Sequence, residues 1–285
     1  MAGRVISRDA TSSAQTAPGT RASGSACAEW REEVAALTRR WFLQLVRERL
    51  NLLLSVTQPA IWLVFFGSAL GRTIDRDVIG TSNYVGFMLA GVIAFTVVTN
   101  TVTGAMPMLW DKETGYLDKL LSMPIARSSL IVSRFLFQFV LGTAQVLLVF
   151  VVAVATSVDV ASGVLGGVAI LAIAGLLSMA LTALSTALAY RVPSHGTFFA
   201  IMGFVTLPLV FLSNAFVPLD SMPPWMMIVA RLNPLTYAIE AMRILVLEGW
   251  DVTVMRALIV LGLFAGGSLA VGAFEFRRHT GERTR

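Results

Sequence analysis

Six apolar stretches, each long enough to cross a lipid bilayer, constrain the fold of this chain more than any other feature. They cover roughly residues 52–70, 84–109, 130–156, 163–190, 198–217 and 255–276. A helix needs about 20 apolar residues to span the hydrocarbon core, where every backbone polar group must find a partner within the protein. The sequence therefore predicts an all-α polytopic membrane protein with six transmembrane helices in a domain at 52–276.

The composition supports this class and argues against others. Hydrophobic residues make up 56% of the 285 residues and charged residues 14%, whereas soluble domains have roughly 25% charged residues. One Cys and two scattered His do not suggest a metal site, and no redox or hydrolytic chemistry is visible. The arginines flank apolar runs and form no separate basic face. We therefore expect no enzymatic activity, no metal and no nucleic-acid partner.

The distribution of Lys and Arg predicts the orientation. If the N-terminus is cytoplasmic, 17 of the 22 basic residues fall on cytoplasmic segments and five on outer ones. We therefore expect both termini in the cytoplasm, with residues 277–285 as a short cytoplasmic tail. The excess of arginine over lysine, 20 against 2, suggests a GC-rich bacterial genome and hence the bacterial plasma membrane.

The N-terminal region divides into two parts. Residues 1–28 are rich in Ser, Thr, Ala and Gly, which predicts a disordered cytoplasmic tail. Residues 29–51 place apolar side chains at helical spacing and charged side chains, including Arg40, on the other side. This pattern predicts an amphipathic interfacial helix whose Trp30 and Trp41 lie in the lipid headgroup region.

The segment 110–129 is a polar run between the second and third apolar stretches, and it holds both lysines of the chain. As a short helix it would place apolar residues on one stripe and charged residues around the rest, until Pro124 ends it. Such a helix suits a position between a membrane and a soluble partner. An ordinary solvated loop is the alternative.

The segment 213–250 is also unusual. Prolines separate two apolar pieces, 225–232 and 235–247, and each piece is too short to cross the membrane. We expect a hairpin of two short helices that re-enters the outer leaflet, in which Glu240 and Arg243 can pair one turn apart. A plain amphipathic surface loop is the alternative.

Both segments resemble one protein family. The run from Phe216 to Trp225, followed by Asn233-Pro234-Leu235-Thr236-Tyr237 and Glu240-Ala241-Met242-Arg243, is similar to the signature of the membrane subunits of type-2 ATP-binding-cassette (ABC) exporters. Glu113-Thr114-Gly115 followed by Leu120-Leu121-Ser122-Met123-Pro124 resembles the first cytoplasmic loop of the same family. The nearest subgroup by resemblance is that of the daunorubicin-resistance-type multidrug permeases.

The resemblance implies roles for these segments. The loop would form a coupling helix seated on an ATPase subunit, the interfacial helix would make a second contact, and the hairpin would form an outer lid. The implied coupling residues are Glu113, Thr114, Gly115, Leu117, Leu120, Leu121 and Pro124, with the leucines as anchors. The interfacial residues are Trp30, Arg40 and Trp41, and the hairpin residues are Pro218, Trp225, Asn233, Pro234, Glu240 and Arg243.

The resemblance also implies partners. Two permease chains, identical or related, would pair around a central path and bind two ATPase subunits. This chain contains no Gly-x-x-x-x-Gly-Lys-Ser/Thr motif, so we expect it to bind no cofactor itself and the separate ATPase to hold ATP and Mg²⁺.

The cargo can be predicted only as a class. None of the six stretches has an ionisable residue well inside it, which favours an amphiphilic or hydrophobic compound such as a drug, antibiotic, polyketide or lipid. Candidate path residues are Thr96, Asn100, Phe204 and Phe211. A polysaccharide or glycolipid exporter remains an alternative, as do a secondary transporter and a membrane scaffold.

Overall fold

The computed structural model describes residues 23–47, 49–70, 84–123, 126–155, 158 and 160–282. Every regular element in these ranges is helical. The helices are α1 (Ser23–Arg47), α2 (Arg49–Leu70), α3 (Tyr84–Gly104), α4 (Met106–Glu113), α5 (Tyr116–Ser122), α6 (Arg127–Ala155), α7 (Gly163–Arg191), α8 (His195–Phe211), α9 (Pro224–Leu232), α10 (Pro234–Leu247) and α11 (Val252–Glu282), with a 3₁₀ turn at Leu219–Ser221.

Four helical segments in the described ranges are long and apolar enough to cross a membrane, so the chain is a multi-pass membrane protein. They are Tyr84–Glu113, Ser128–Ala155, Gly163–Arg191 and Val252–Glu275. The first and fifth predicted spans correspond to α2, which contains Pro59, and to α8, a shorter apolar helix.

The N-terminal boundaries differ from the prediction. Helix α1 begins at Ser23, within the predicted tail. Ala26 and Ala28 favour a helix there, because alanine has the highest intrinsic helix propensity. Residues 1–22 lie outside the described ranges, as does Pro124. The predicted interfacial helix at 29–51 is also shorter at its C-terminal end, where α1 ends at Arg47.

The predicted loop helix is split in two. Residues Trp110 to Glu113 belong to α4, which extends the apolar helix begun by α3 after a turn at Ala105. Gly115 then adopts φ = 71°, a left-handed conformation that side chains disfavour, and α5 begins at Tyr116. The polar run is therefore a span end followed by a short helix.

Helix α3 lies in the middle of the bundle. Within its span, 78% of the most apolar 18-residue stretch is buried in the chain, against 22–44% in the other three spans. Gly91 permits a close approach to another backbone segment, because a Cβ atom there would lie only 2.6 Å from the carbonyl oxygen of Ala215. Small residues let backbones approach in this way where lipid provides no hydrophobic driving force.

The bundle has two ends. Helix α1, α5 and the first turns of α6 and α8 lie at one, which we call the α1 end. The connection before α7, the short helices α9 and α10 and the start of α11 lie at the other, which we call the hairpin end. Helix α10 packs into the bundle against α3, α7 and α11, and Ala238, Ile239 and Met242 are fully buried.

Candidate functional site

Helix α1 docks on the start of α6 through a buried apolar face and a hydrogen bond. Val34, Leu37 and Trp41 form the buried face. The Trp30 indole Nε1 donates to the Ser128 hydroxyl at 3.1 Å. Trp41 is only 7% exposed, so its ring packs against other parts of the chain. The headgroup position expected for Trp30 and Trp41 stays a prediction.

Arg40 joins α1 to the helices that follow α3. Its guanidinium donates to the Asp111 carboxylate on α4 at 3.2 Å and lies 4.4 Å from the ring centroid of Tyr116 on α5. This places one cation between an acid and an aromatic face, both of which attract it. Helix α1 and the polar run are thus tied together.

The end of α4 is fixed to the connection between α7 and α8. The Lys112 ammonium donates to the carbonyl oxygens of Tyr190 and Val192 at 2.7 and 2.8 Å. Those carbonyls lie at the C-terminal end of α7, where a cation is favoured by the helix dipole. Next to it, the Glu113 carboxylate accepts the backbone N–H of His195 at 2.9 Å, and its second oxygen lies 2.6 Å from Nδ1.

The other predicted coupling residues fall into two groups. Glu113, Thr114 and Gly115 form an exposed turn, in which the Thr114 hydroxyl donates to the Trp110 carbonyl at 2.7 Å. Leu120 is only 5% exposed and lies beside Trp41, Met108 and Arg134. It packs inside its own chain, so the structure does not support it as an anchor for a partner. The side chains of Leu117 and Leu121 lie outside the described part.

A ladder of uncharged polar groups crosses the middle of the bundle. Asn100 Nδ2 donates to Gln145 Oε1, and Gln138 Nε2 donates to the Asn100 carbonyl at 2.8 Å. The Ser185 hydroxyl donates to the Thr101 carbonyl at 3.3 Å. These bonds hold α3 to α6 and α7 and satisfy polar groups that would otherwise be costly in an apolar setting.

The four predicted path residues do not share one surface. Thr96 is 4% exposed, and its hydroxyl donates to the carbonyl of Val92 in its own helix. Asn100 is 7% exposed within the polar ladder. Phe204 and Phe211 project from α8, 79% and 59% exposed. Only the two phenylalanines lie on an outer face of the chain, where a second chain or lipid would meet them.

At the hairpin end, Asn233 closes one short helix and begins the next. Its Oδ1 accepts the backbone N–H of Leu235, which caps α10, and its Nδ2 donates to the Leu209 carbonyl at 2.6 Å. Pro234 follows at the first turn of α10, where its missing N–H costs nothing. This one side chain ties the hairpin to the end of α8.

Arg243 bonds differently from the prediction. Its guanidinium donates to the Asn214 carbonyl at 2.8 Å and lies 3.6 Å from the ring centroid of Phe87. Among the described residues it forms no ion pair with Glu240 within 4 Å. A buried carbonyl and an aromatic face satisfy the cation more completely than a carboxylate in contact with water.

A polar cavity of about 670 Å³ opens beside this arginine. Pro218 lies at its rim and Trp225, 62% exposed, projects from the start of α9. Two buried polar atoms at this cavity, Asn214 Oδ1 and Thr236 Oγ1, have no protein partner among the described residues. The charged residues that line it are Asp220, Arg231, Glu240, Arg243, Glu248 and Arg256.

Comparison with known proteins assigns the family. Residues 32–247, which include both the polar run and the hairpin, match the ABC-2 type transporter family. The chain belongs to this family. ABC-2 permeases normally work with an ATPase partner.

Several curated relatives of this ABC-2 permease carry transport names. It is 36% identical over 215 residues to the transport permease ycf38 of Porphyra purpurea, covering 74% of this chain and 73% of that protein. It is 27% identical to the daunorubicin resistance ABC transporter permease protein DrrB1 of Streptomyces coeruleorubidus, and the match covers 76% of this chain and 78% of that protein. Identity to the inner membrane transport permease YadH of Escherichia coli K12 is also 27%, covering 82% and 88%.

Sequence reasoning missed several residues that organise this permease. Asp111, Lys112 and His195 anchor the polar run, and Gln138 and Gln145 complete the polar ladder. The signal for the glutamines was present, because amides are rare in an apolar stretch such as α6 and need partners there. Nothing in the sequence predicted which carbonyls or acids the anchors would meet.

Proposed function

We propose that this chain is the membrane subunit of an ATP-driven exporter that moves an amphiphilic or hydrophobic compound out of a bacterial cell. In this proposal all six apolar stretches span the plasma membrane and both termini are cytoplasmic. The α1 end then faces the ATPase, and the hairpin end faces outward. Two permease chains and two ATPase chains form the transporter, and only the ATPase holds ATP and Mg²⁺.

The hydrogen bond between Glu113 and His195 carries the proposal. It connects the exposed turn that follows α4 to the first residue of α8. Lys112 makes a parallel connection to the end of α7. A push on the turn by an ATPase that changes shape would therefore be passed to two span ends and not absorbed by a loose loop. Energy enters through contacts that differ between the two states of the ATPase.

Helix α8 is the element through which this push would reach the path. Its first residue is held by Glu113, and its exposed face carries Phe204 and Phe211. We propose that this face meets a second permease copy and lines the path between the two. Aromatic side chains on such a surface suit an amphiphilic cargo.

The hairpin supports an outer lid in the same scheme. Helix α10 has 14 residues and would extend only about 21 Å, less than the roughly 30 Å of the hydrocarbon core. Its buried face packs on α3, α7 and α11, which satisfies a short helix at membrane depth. We propose that it re-enters the outer leaflet and closes the path from outside.

The uncharged side chains of the polar ladder support the proposed amphiphilic or hydrophobic cargo. Asn100, Gln138 and Gln145 are uncharged, and the ion pair of Arg191 with Glu275 lies at the α1 end. A secondary transporter driven by protons would be expected to carry ionisable groups at mid-membrane. The likeness to a daunorubicin resistance permease suggests a multidrug-type cargo as the first to test.

The test is affinity purification of the tagged chain from membranes of its host, with ATP hydrolysis measured on the product. A Lys119→Glu, Met123→Glu variant changes two exposed residues, one on α5 and one at its C-terminal end, and Glu248→Lys at the hairpin end is the control. We expect an ATPase chain to copurify with the wild type and the control and to be lost with the double variant. A wild-type preparation without an ATPase and without ATP turnover would overturn the proposal.

The cargo is tested in inverted membrane vesicles. We expect ATP-dependent accumulation of daunorubicin in vesicles that contain the permease and its ATPase, and none when Phe204 and Phe211 are both changed to Ala. Accumulation that a proton gradient drives without ATP, and that is absent from vesicles lacking the permease under the same gradient, would instead identify a secondary transporter.

A further inference from the structure

A second cavity, of about 320 Å³, lies at the α1 end between α1, α2, α3, α4 and α6. This volume is in the range of small-molecule sites in proteins. Its wall has an apolar part, formed among others by Leu54, Phe137 and Leu141, and a polar part that includes Trp41, Arg134 and Gln138. The surface is therefore amphipathic, as a site for an amphiphile must be.

Trp41 lines this cavity, and its indole Nε1 is a hydrogen-bond donor without an acceptor among the described residues. The side chain is only 7% exposed. A buried donor without a partner is costly unless something supplies an acceptor. An oxygen atom of a ligand in the cavity would do so.

Arg134 supplies positive charge at the same place. Its guanidinium stacks on the Trp41 ring, 4.7 Å from the centroid, and within the described part donates only to the Gly104 carbonyl at 3.3 Å. A guanidinium has five N–H donors, so most of its capacity is open. Asp111 interacts electrostatically with Arg134 but is hydrogen-bonded to Arg40, and no acidic side chain is among the described residues that line the cavity.

The cavity also lies where a lipid could reach it. It is bounded by α1, which carries the arginines of the interfacial region, and by α2, whose Leu53 and Leu54 are 59% and 54% exposed. Trp and Arg side chains together mark the headgroup level of a membrane. A ligand that enters from the bilayer would therefore bring its headgroup to Trp41 and Arg134 and its hydrocarbon to Leu54, Phe137 and Leu141.

We propose that this cavity binds one anionic phospholipid, with the indole N–H of Trp41 and the guanidinium of Arg134 donating to its phosphate. The site holds α1 against α2 and α6 and lies within a single chain. It is separate from the α8 face assigned to the cargo path and does not depend on export activity.

The test uses the full chain in nanodiscs of phosphatidylcholine that contain a minor fraction of phosphatidylglycerol, with retained lipid measured by native mass spectrometry. Trp41→Phe removes the N–H and keeps the ring, and Arg134→Gln removes the charge. Arg39→Gln is the matched control, because Arg39 is an exposed arginine of α1 outside the cavity. It loses the same general attraction to an anionic surface.

We expect the wild type and Arg39→Gln to retain one phosphatidylglycerol per chain in preference to phosphatidylcholine. Trp41→Phe and Arg134→Gln should each weaken this binding about tenfold, the scale of a lost hydrogen bond to a charged group. Because Arg134→Gln also removes a stacking contact and can unfold the protein, Trp41→Phe is the deciding variant.

Three results would overturn the proposal. One is equal retention of phosphatidylcholine, and another is unchanged binding by a folded Trp41→Phe variant. The third is displacement of the lipid by soluble glycerol phosphate at matched concentration, which would show that the site takes a free phosphate and not a lipid.

Discussion

The carboxylate of Glu113 accepts the backbone N–H of His195 at 2.9 Å, and so a residue of the exposed turn holds the first residue of α8. The second carboxylate oxygen lies 2.6 Å from His195 Nδ1, and Ser194 caps the same helix start from the other side. A negative group at a helix N-terminus is favoured by the helix dipole. The contact therefore joins two span ends by electrostatics as well as by a hydrogen bond.

The first prediction concerns this contact. Glu113→Ala should leave ATPase binding intact but lower export per ATP hydrolysed by about threefold, the scale of one lost hydrogen bond. The measurement is transport and ATP turnover on the same reconstituted complex. Glu32→Ala, an exposed acid on α1, is the control. Loss of the ATPase from Glu113→Ala would show instead that Glu113 contacts the partner directly.

The second prediction separates packing from partner contact in the polar run. Leu120 is 5% exposed, so Leu120→Ala should lower the free energy of unfolding by about 2–4 kcal/mol through a cavity. Lys119→Ala, at the neighbouring exposed position, should leave stability unchanged and affect only ATPase binding. Thermal unfolding in detergent and copurification measure the two effects. A stable Leu120→Ala variant that has lost the ATPase would restore Leu120 as an anchor.

Glu113 and Leu120 also indicate how much of the candidate site the sequence can predict. The resemblance drew attention to Glu113 and Leu120 together, yet Glu113 holds α8 and Leu120 lies on the buried face of α5. The spacing of apolar residues in the sequence predicts which residues share a helix face. It does not predict which face the rest of the chain covers. Gly115 breaks the helix at φ = 71° and so changes the direction of α5. That direction determines which face of α5 the rest of the chain covers.

The apolar stretches predicted the bundle better than the polar residues predicted their partners. The length and hydropathy of Tyr84–Glu113, Ser128–Ala155, Gly163–Arg191 and Val252–Glu275 are local properties that a sequence displays directly. The contacts of Arg243 are not local properties of the sequence, because they depend on where folding places Phe87 and Asn214. Pairing with Glu240, one turn away, was the local expectation, and the tertiary partners displaced it.

The third prediction concerns Arg243. Arg243→Lys keeps the charge but loses the planar group that both stacks on Phe87 and reaches the Asn214 carbonyl. We expect the free energy of unfolding to fall by about 2 kcal/mol, the scale of a lost hydrogen bond to a charged group. Thermal unfolding is the measurement. Glu240→Gln should change stability little, and an equal loss in both variants would point to a Glu240–Arg243 pair after all.

The fourth prediction concerns the close approach of α3 to the turn at Ala215. A Cβ atom at Gly91 would meet the Ala215 carbonyl oxygen at 2.6 Å, and backbone cannot move aside cheaply. Gly91→Ala should therefore destabilise the bundle by about 1–3 kcal/mol, as overpacking does. Gly167→Ala on α7 is the control, since nothing lies within 4 Å of a Cβ there, and it should be neutral or slightly stabilising. Equal unfolding temperatures for the two variants would contradict the packing of α3.

The fifth prediction tests the pairing of two permease chains through α8. Phe204 is 79% exposed on α8, and Val151 is 64% exposed on α6, so the two positions are comparably open in one chain. In a Cys27→Ser background, Phe204→Cys should form a dimer with a short thiol-specific cross-linker, whereas Val151→Cys should remain monomeric. Residues near a twofold axis lie close to their own copies, which is why one substitution per chain suffices. The readout is the fraction of dimer on a denaturing gel from native membranes. Equal cross-linking at both positions would indicate random collision, and a monomer for Phe204→Cys would place the partner on another face.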